Sequence, residues 1–564
     1  MTISASAQVI TCFFLLAIFT PLLGVYIAKV FTHKEGEFFP AFLKKIENFI
    51  YTLSGIDKDK EMSAEQYLMK LLCFNFIGIL SVIALLRLQW YLPLNPEHFT
   101  APSWPLALNI AISFVTNTNL QAYSGETTLS YLSQMLSLGV QNFLSAATGL
   151  SVMVALIRGI TRQTSETVGN FFVDMIRGVF YILLPLSILI AAIFVTQGVV
   201  QTFNPYPKVE TVQGDTQTIP LGPVASFEAI KQLGSNGGGF FNANSAHPFE
   251  NPTQLTNILQ TVMILLIPIA SIFTFGHMIK SKKHALMIIG TLSFMFVGAL
   301  IAANIAEYSL NEAIGSYPFL EGKETRIGIN NSVLWTVATT ATSNGSANAA
   351  ISSHSPMTGG IALYNIMLGE VIFGGVGVGL AGLIMFILLT VFLCGLMVGR
   401  SPEFLGKKVE KREIQWVVIA ILSPSALILI GSFFSCLLPF TSSGVSQHGP
   451  HGLTEILYAF SSAAGNNGSS FAGFNMNTNY YLLLLSAVML LGRLSIIVAS
   501  VKIAGLLAKK HIAPPSIGAM QTHSVLFSVL LVGVILIVGA LTFFPPLSLG
   551  PILEQMLMAR GETF

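Results

Sequence analysis

Leu233-Gly234-Ser235-Asn236-Gly237-Gly238-Gly239-Phe240-Phe241 turns abruptly from a short apolar stretch into small polar residues, then runs on toward another apolar segment. The same turn recurs as Thr116-Asn117-Thr118-Asn119-Leu120-Gln121, Thr342-Ser343-Asn344-Gly345-Ser346 and Gly465-Asn466-Asn467-Gly468-Ser469, about every 110–120 residues. The apolar stretches that lead into these turns, such as Trp104–Val115 and Leu453–Ala463, are eleven or twelve residues long. A bilayer core requires about 20 apolar residues per helix. These stretches therefore predict half-helices that dip into a membrane and return.

The rest of the composition agrees with a membrane setting. Of 564 residues, 53% are hydrophobic and only 10% charged, and the mean hydropathy is +0.70. A soluble globular chain carries roughly 25% charged residues, so this chain has too little charge to solvate a surface. That excludes a soluble or extracellular enzyme, and no Ser/His/Asp or metal-ligand constellation is evident. Cys12, Cys73, Cys394 and Cys436 all lie in apolar runs without CxxC spacing. They read as small buried hydrophobes rather than a disulfide or zinc framework.

Ten apolar runs predict transmembrane helices at 8–30, 67–90, 131–157, 173–197, 254–279, 284–306, 361–398, 415–437, 480–506 and 523–545. The first is too long for a signal peptide and lacks a basic n-region. The seventh is too long for one straight helix. It contains Gly374, Gly375, Gly377, Gly379 and Gly382, so a break is expected there, of a kind tolerated only where protein or a watery cavity satisfies the freed backbone. Segments 29–70, 158–177, 280–284, 400–412 and 502–511 hold 21 of the 28 lysines and arginines, whereas 91–130 and 437–479 hold none. Positive charge marks the cytoplasmic side. The alternation predicts ten helices with both termini extracytoplasmic and all four polar turns on the outer face.

The fold class that follows is an all-α polytopic membrane protein built from four helix–pore loop–helix repeats, at 67–160, 161–280, 281–400 and 401–511. One extra helix precedes them in 1–66 and another follows in 512–564. Any one of the turns alone reads as an ordinary turn or an anion-binding nest, and Asn344-Gly-Ser and Asn467-Gly-Ser also match the glycosylation sequon. Four turns in equivalent places point instead to a cation filter. A half-helix aims the negative end of its dipole at the membrane centre. Successive carbonyls of the loop behind it can replace a potassium ion's hydration shell. Glycine reaches backbone angles closed to other residues, and Thr and Asn add oxygens or brace the loop. The candidate filter residues are Thr116, Asn117, Thr118, Asn119, Gln121, Ser235, Asn236, Gly237, Gly238, Thr342, Ser343, Asn344, Gly345, Gly465, Asn466, Asn467 and Gly468.

The stretches Val115–Glu126, Leu233–Ser245 and Asn466–Gly473 resemble the potassium-binding A subunits of bacterial Kdp potassium-transporting ATPases, a resemblance that extends over essentially the whole chain. It implies a pore related to the Trk, Ktr and HKT potassium transporters and a bacterial inner-membrane location. It also implies a complex with a P-type ATPase B subunit, a C subunit and a small F subunit, and passage of the ion sideways to the ATPase. Potassium is then the transported ligand. No organic cofactor, other metal or nucleic acid is expected, and lipids are the remaining partners. The chain carries neither Asp-Lys-Thr-Gly-Thr nor GxxxxGK[ST], in keeping with a non-catalytic subunit. A stand-alone Trk/HKT-type channel or symporter and a secondary transporter of an organic solute are the rival readings.

Two charges fall inside apolar runs. Arg493 sits mid-run in Leu482–Val501, and Glu370 directly precedes the glycine-rich break. Intramembrane charges are costly and mark functional sites. Arg493, Glu370, Gly374, Gly375 and Gly377 are therefore the candidate barrier below the filter, with an Arg493–Glu370 pair as one arrangement. Asp174 and Arg177 read as interfacial anchors, and Lys407, Lys408, Lys411 and Arg412 as a solvated basic loop. The topology predicts that an impermeant thiol reagent applied to intact cells labels Asn477→Cys and spares Lys408→Cys. The reverse pattern overturns the orientation and the filter with it.

Overall fold

The computed structural model describes residues 3–32, 41–309, 313, 320–369, 371–399, 401–514 and 520–562. Among them, ten helices are long and apolar enough to cross a membrane. In chain order the helices that matter are α1 (Ile3–Thr32), α2 (Ala41–Ser54), α3 (Ala64–Leu88), α4 (Trp104–Val115), α5 (Ser133–Thr161), α6 (Phe171–Thr196), α7 (Val224–Leu233), α8 (Gln254–Met278), α9 (Lys282–Glu307), α10 (Ile329–Ala341), α11 (Pro356–Met367), α12 (Val378–Val398), α13 (Lys411–Leu437), α14 (Gly449–Ala464), α15 (Asn479–Ala508) and α16 (Val525–Leu547). Three short two-stranded ribbons decorate the loops.

The ten long helices form two layers. In α5, α8, α12 and α15, the four that follow the polar turns, 50–83% of the apolar stretch is buried. In the other six the share is 22–44%. The helices approach closely where their contact positions are small, as expected where lipid offers no hydrophobic drive between helices. Gly159 of α5 lies against the backbone of Ala504 on α15, and Gly24 of α1 against Ala270 and Phe273 of α8. Thr274 on α8 also donates to the Gly24 carbonyl at 3.0 Å.

The long run at 361–398 is two helices. α11 ends at Met367, α12 begins at Val378, and an irregular segment joins them. Phe373 and three glycines in it (Gly369, Gly374, Gly377) have positive φ. Glu370 lies outside the described residues.

Several charges are more deeply engaged than their positions suggest. Asp174, expected as an interfacial anchor, is buried. It accepts from both Arg158 Nη1 (2.6 Å) and Nη2 (2.9 Å) and from Tyr67 Oη (3.1 Å). Arg177 pairs with Glu47 at 3.2 Å. Of the four cysteines only Cys12 is buried. Cys73 and Cys436 are exposed and Cys394 is intermediate, because an apolar residue on an outer helix needs no protein cover when lipid surrounds it.

Lys407 is likewise buried rather than solvated. Its ammonium donates to the carbonyls of Gly159 (2.9 Å), Leu507 (2.7 Å) and Arg162. One cation thus caps the C-termini of α5 and α15 where the two cross, bonding carbonyls of both last turns and meeting the negative end of both dipoles. Lys407→Met removes the ammonium from the Gly159 and Arg162 carbonyls, at about 1–3 kcal/mol for each buried group left unsatisfied, while Leu507 keeps the Lys510 N–H. A lower unfolding temperature in detergent is expected for Lys407→Met, with little change for the exposed Lys408→Met.

Candidate functional site

The half-helices α4, α7, α10 and α14 end in the same way. A residue in the left-handed region follows each, namely Asn117 (φ 66°), Ser235 (φ 51°), Ser343 (φ 55°) and Asn466 (φ 56°). The next N–H turns back to the carbonyl five residues earlier, Thr118 to Ser113 (2.9 Å), Asn236 to Lys231 (2.9 Å), Asn344 to Thr339 (3.3 Å) and Asn467 to Ser462 (2.8 Å). This is a Schellman cap, which normally places glycine at the left-handed position. Here that position is Asn or Ser, at a conformational cost of about 1–2 kcal/mol relative to ordinary helical backbone.

The side chains explain the choice. Asn117 Nδ2 donates to the Ser235 carbonyl (2.9 Å), Ser235 Oγ to the Thr342 carbonyl (2.9 Å), Ser343 Oγ to the Gly465 carbonyl (3.3 Å), and Asn466 Nδ2 to Thr118 Oγ1 (2.9 Å). Each loop thereby holds the next, and the fourth returns to the first. Two residues past each left-handed position stand Asn119, Gly237, Gly345 and Gly468. A Cβ on Gly237 would lie 2.8 Å from the Asn344 carbonyl oxygen, and one on Gly345 or Gly468 would overlap the carbonyl oxygens of Asn467 or Thr118. Loop 1 carries Asn119 in that place, whose Nδ2 reaches the Gly237 carbonyl at 3.1 Å. Close packing of neighbouring backbones, together with positive φ at Gly345 (75°) and Gly468 (95°), is what demands glycine. Loop 2 departs from the others, since its positive φ falls on Gly238 (73°) instead of Gly237.

Most of the polar side chains singled out in the sequence brace the ring. Asn117 Oδ1 accepts from Ser145 Oγ (2.7 Å) and Asn236 Nδ2 (2.6 Å). Gln121 pairs with both backbone groups of Gly239, at 3.1 and 3.0 Å. Asn467 Nδ2 donates to the Thr339 carbonyl (2.8 Å), and Asn344 Oδ1 accepts from the Ser346 N–H (3.0 Å). Thr116 Oγ1 bonds the Ile112 carbonyl (2.8 Å) and Thr118 Oγ1 (2.7 Å).

A charged cluster behind loop 2 escaped the sequence reading. Lys231, fully buried, meets Glu228 at 2.7 Å, Glu250 at 3.1 Å and Asn244 Oδ1 at 2.9 Å. Glu250 also accepts from the Phe241 N–H (2.9 Å), and Asn244 donates to the Gly238 carbonyl. Lys231 is thus the hub that holds the outer edge of this loop. Its available signal was the pair Glu228 and Lys231, three residues apart on one short half-helix.

The glycine-rich segment passes against loop 3 and on to α5. Gly374 N–H donates to the Ala341 carbonyl at 3.2 Å, and a Cβ on Gly375 would lie 3.0 Å from Ser343 Cβ. Val376 and Gly377 touch the backbone of Gly149 on α5, the helix that follows loop 1. Loops 1 and 3 are not neighbours in the ring of cross-loop bonds, so the segment runs across the bundle between opposite members. Arg493 is buried and donates to the Ser145 carbonyl at 3.5 Å, and Ser145 Oγ is the donor to Asn117. A small cavity of about 70 Å³ is lined by Arg493, Gly465 and Asn466 together with Gly369 and Gly379, and by residues of α13 and α16.

A family model described as potassium-transporting ATPase A subunit (KdpA) matches residues 10–556. Relatives described as potassium-transporting ATPase potassium-binding subunit include one from Leptospira interrogans serovar copenhageni, 51% identical over 99% of both chains. Another, from Rhodospirillum centenum, is 50% identical over 100% of this chain and 99% of its own. One from Pseudomonas aeruginosa is 48% identical over 97% and 98%. Among solved structures, the potassium transporter TrkH from Vibrio parahaemolyticus aligns with a TM-score of 0.49 at 14% identity, over 85% of this chain and 97% of that one. The family match spans nearly the whole chain and the relatives keep half of its residues, so the chain belongs to the family of potassium-transporting ATPase A subunits.

Proposed function

We propose that the chain is the potassium-binding subunit of an ATP-driven uptake complex, that its four loops strip and hold potassium from the extracytoplasmic side, and that it passes the ion to a P-type ATPase subunit. The observation that carries this reading is the closed set of cross-loop bonds from four left-handed helix ends. Four negative helix ends meet around one set of loops, and the ring holds their backbone carbonyls at a fixed spacing, which is the requirement for replacing a potassium hydration shell. The filter residues in this reading are those from Thr116 to Gln121, Ser235 to Gly238, Thr342 to Gly345 and Gly465 to Gly468. Bracing by Asn117, Asn119 and Gln121 leaves coordination mainly to the backbone.

Below the filter a barrier is required, since an open pore would dissipate the pumped gradient. The glycine-rich segment at Gly374, Gly375 and Gly377 lies in the straight path, and the Arg493 guanidinium repels a cation strongly in a low-dielectric interior. The cavity running from Asn466 past Arg493 toward α13 and α16 supports a sideways exit. Partners in this reading are the B, C and F subunits of the complex, in a bacterial inner membrane with both termini extracytoplasmic. Potassium-stimulated ATPase activity of the co-purified complex tests the whole proposal; activity indifferent to potassium refutes it.

Gly468→Ala places a methyl group on the Thr118 carbonyl and is expected to raise the half-saturating potassium concentration at least about tenfold, equivalent to about 1.4 kcal/mol of lost binding, and to admit rubidium. Potassium titration of ATPase activity checks this, and an unchanged half-saturation and selectivity in both Gly468→Ala and Gly345→Ala refutes the filter assignment. Lys231→Met is expected to shift half-saturation while leaving the maximal rate of folded complex largely intact, because Lys231 positions loop 2 from behind. For Arg493→Gln the expectation differs: selectivity persists while potassium flux per ATP falls, as read by measuring both on one reconstituted preparation. Wild-type behaviour in both assays would assign Arg493 to packing alone.

A further inference from the structure

The helix α2 is amphipathic in the wrong sense for a water-exposed loop. Its charged and hydroxylated residues Glu47 and Tyr51 point into the protein, where Glu47 accepts from Tyr51 Oη (2.6 Å) and Tyr181 Oη (2.5 Å) and pairs with Arg177 (3.2 Å). Its outward surface carries Phe42, Phe49 and Leu53, which are 70%, 66% and 75% exposed, along one strip, and exposed Lys45, Asn48 and Thr52 along the next. Large apolar side chains on an exposed helix face require a non-aqueous neighbour.

The anchor lies within the apolar span of α6. Arg177 and Tyr181 lie six and ten residues beyond Phe171, where the apolar span of α6 begins. At 1.5 Å per residue that is about 9 and 15 Å in from the end of the span. The end in question is the one away from the polar loops, since α6 precedes loop 2. The α6 span itself is only 33% buried, and that of α1, which precedes α2 in the chain, 28%. The apolar face of α2 therefore stands beside helices whose own outer faces are already lipid-facing. Lys45 is exposed on the same helix, and its long stem lets the ammonium reach the headgroups while the aliphatic part stays in the acyl region.

We propose that α2 is an in-plane membrane helix, pinned to α6 by buried Glu47, with Phe42, Phe49 and Leu53 inserted among the acyl chains of the leaflet opposite the polar loops. A helix with a broad apolar face and flanking lysines takes this position at a bilayer interface. The proposal does not depend on which ion the loops bind.

The test uses the intact complex in phospholipid nanodiscs, with the four native cysteines replaced and a bimane fluorophore placed at Phe49→Cys. Phe42→Cys, near the other end of the helix, is the second site, so that disturbance by one label does not decide the outcome. Lys60→Cys serves as the aqueous control. Nitroxide-bearing phospholipid is expected to quench the probes at 49 and 42 strongly while aqueous iodide does not, and the control should show the opposite. Dominant quenching by iodide at both sites would place α2 in water. Resistance to both quenchers would mean that a partner subunit covers the face. Either result overturns the proposal.

Discussion

Everything particular to this structure depends on a helix end that closes with a side chain where glycine is usual. In each of the four half-helices, a left-handed Asn or Ser stops the helix and then spends its side chain on the neighbouring loop. Glycine would make the same cap at lower conformational cost, but it could not bond across. The net worth of one such hydrogen bond is about 0.5–1.5 kcal/mol, similar to the left-handed penalty. The substitution of Asn or Ser for Gly is therefore nearly neutral in energy, and its effect is to tie four separate loops into one object.

The layering of the helices serves that object. The four most buried spans are those that leave the loops, so the loops rest on the part of the bundle least able to shift. Close approach at small residues and the Lys407 cap lock α5 to α15 at the far end. The glycine-rich segment then crosses the interior with backbone contacts at Ala341 on one side and Gly149 on the other, while its Val371, Ile372, Phe373 and Val376 side chains pack into the core. Loop 2 is the asymmetric member, with its displaced positive φ and the Lys231 hub behind it. A buried ammonium between two carboxylates is expensive to assemble, and breaking it by removing one member is more costly still. Such a cluster is suited to holding one geometry rather than to adding stability.

Much of the architecture was legible in one dimension. Span length is set by bilayer thickness, so apolar runs reveal the spans without any knowledge of contacts. The break in 361–398 was visible because five glycines interrupt a run too long for one helix. Where local reading failed, the cause was burial. Asp174 and Arg177 look like interfacial anchors and Lys407 like part of a solvated loop, yet each finds partners on elements distant in the chain, such as Tyr67 for Asp174, Glu47 for Arg177 and the ends of α5 and α15 for Lys407. The cysteines erred in the opposite direction, since an apolar run predicts a non-aqueous neighbour and does not distinguish protein from lipid.

By itself, the sequence determined the ten spans, the four half-helices and the polar turns at their ends, because each follows from a local pattern of hydropathy, charge and small residues. Only the tertiary structure decided which oxygens the turns surround and which side chains brace them. The cross-loop partners are 118, 107, 122 and 348 residues apart. No local propensity selects among acceptors at such separations. The choice is made when the inner helices pack and bring four helix ends within hydrogen-bonding reach, where the absent Cβ of Gly237, Gly345 and Gly468 leaves room for the neighbouring backbone.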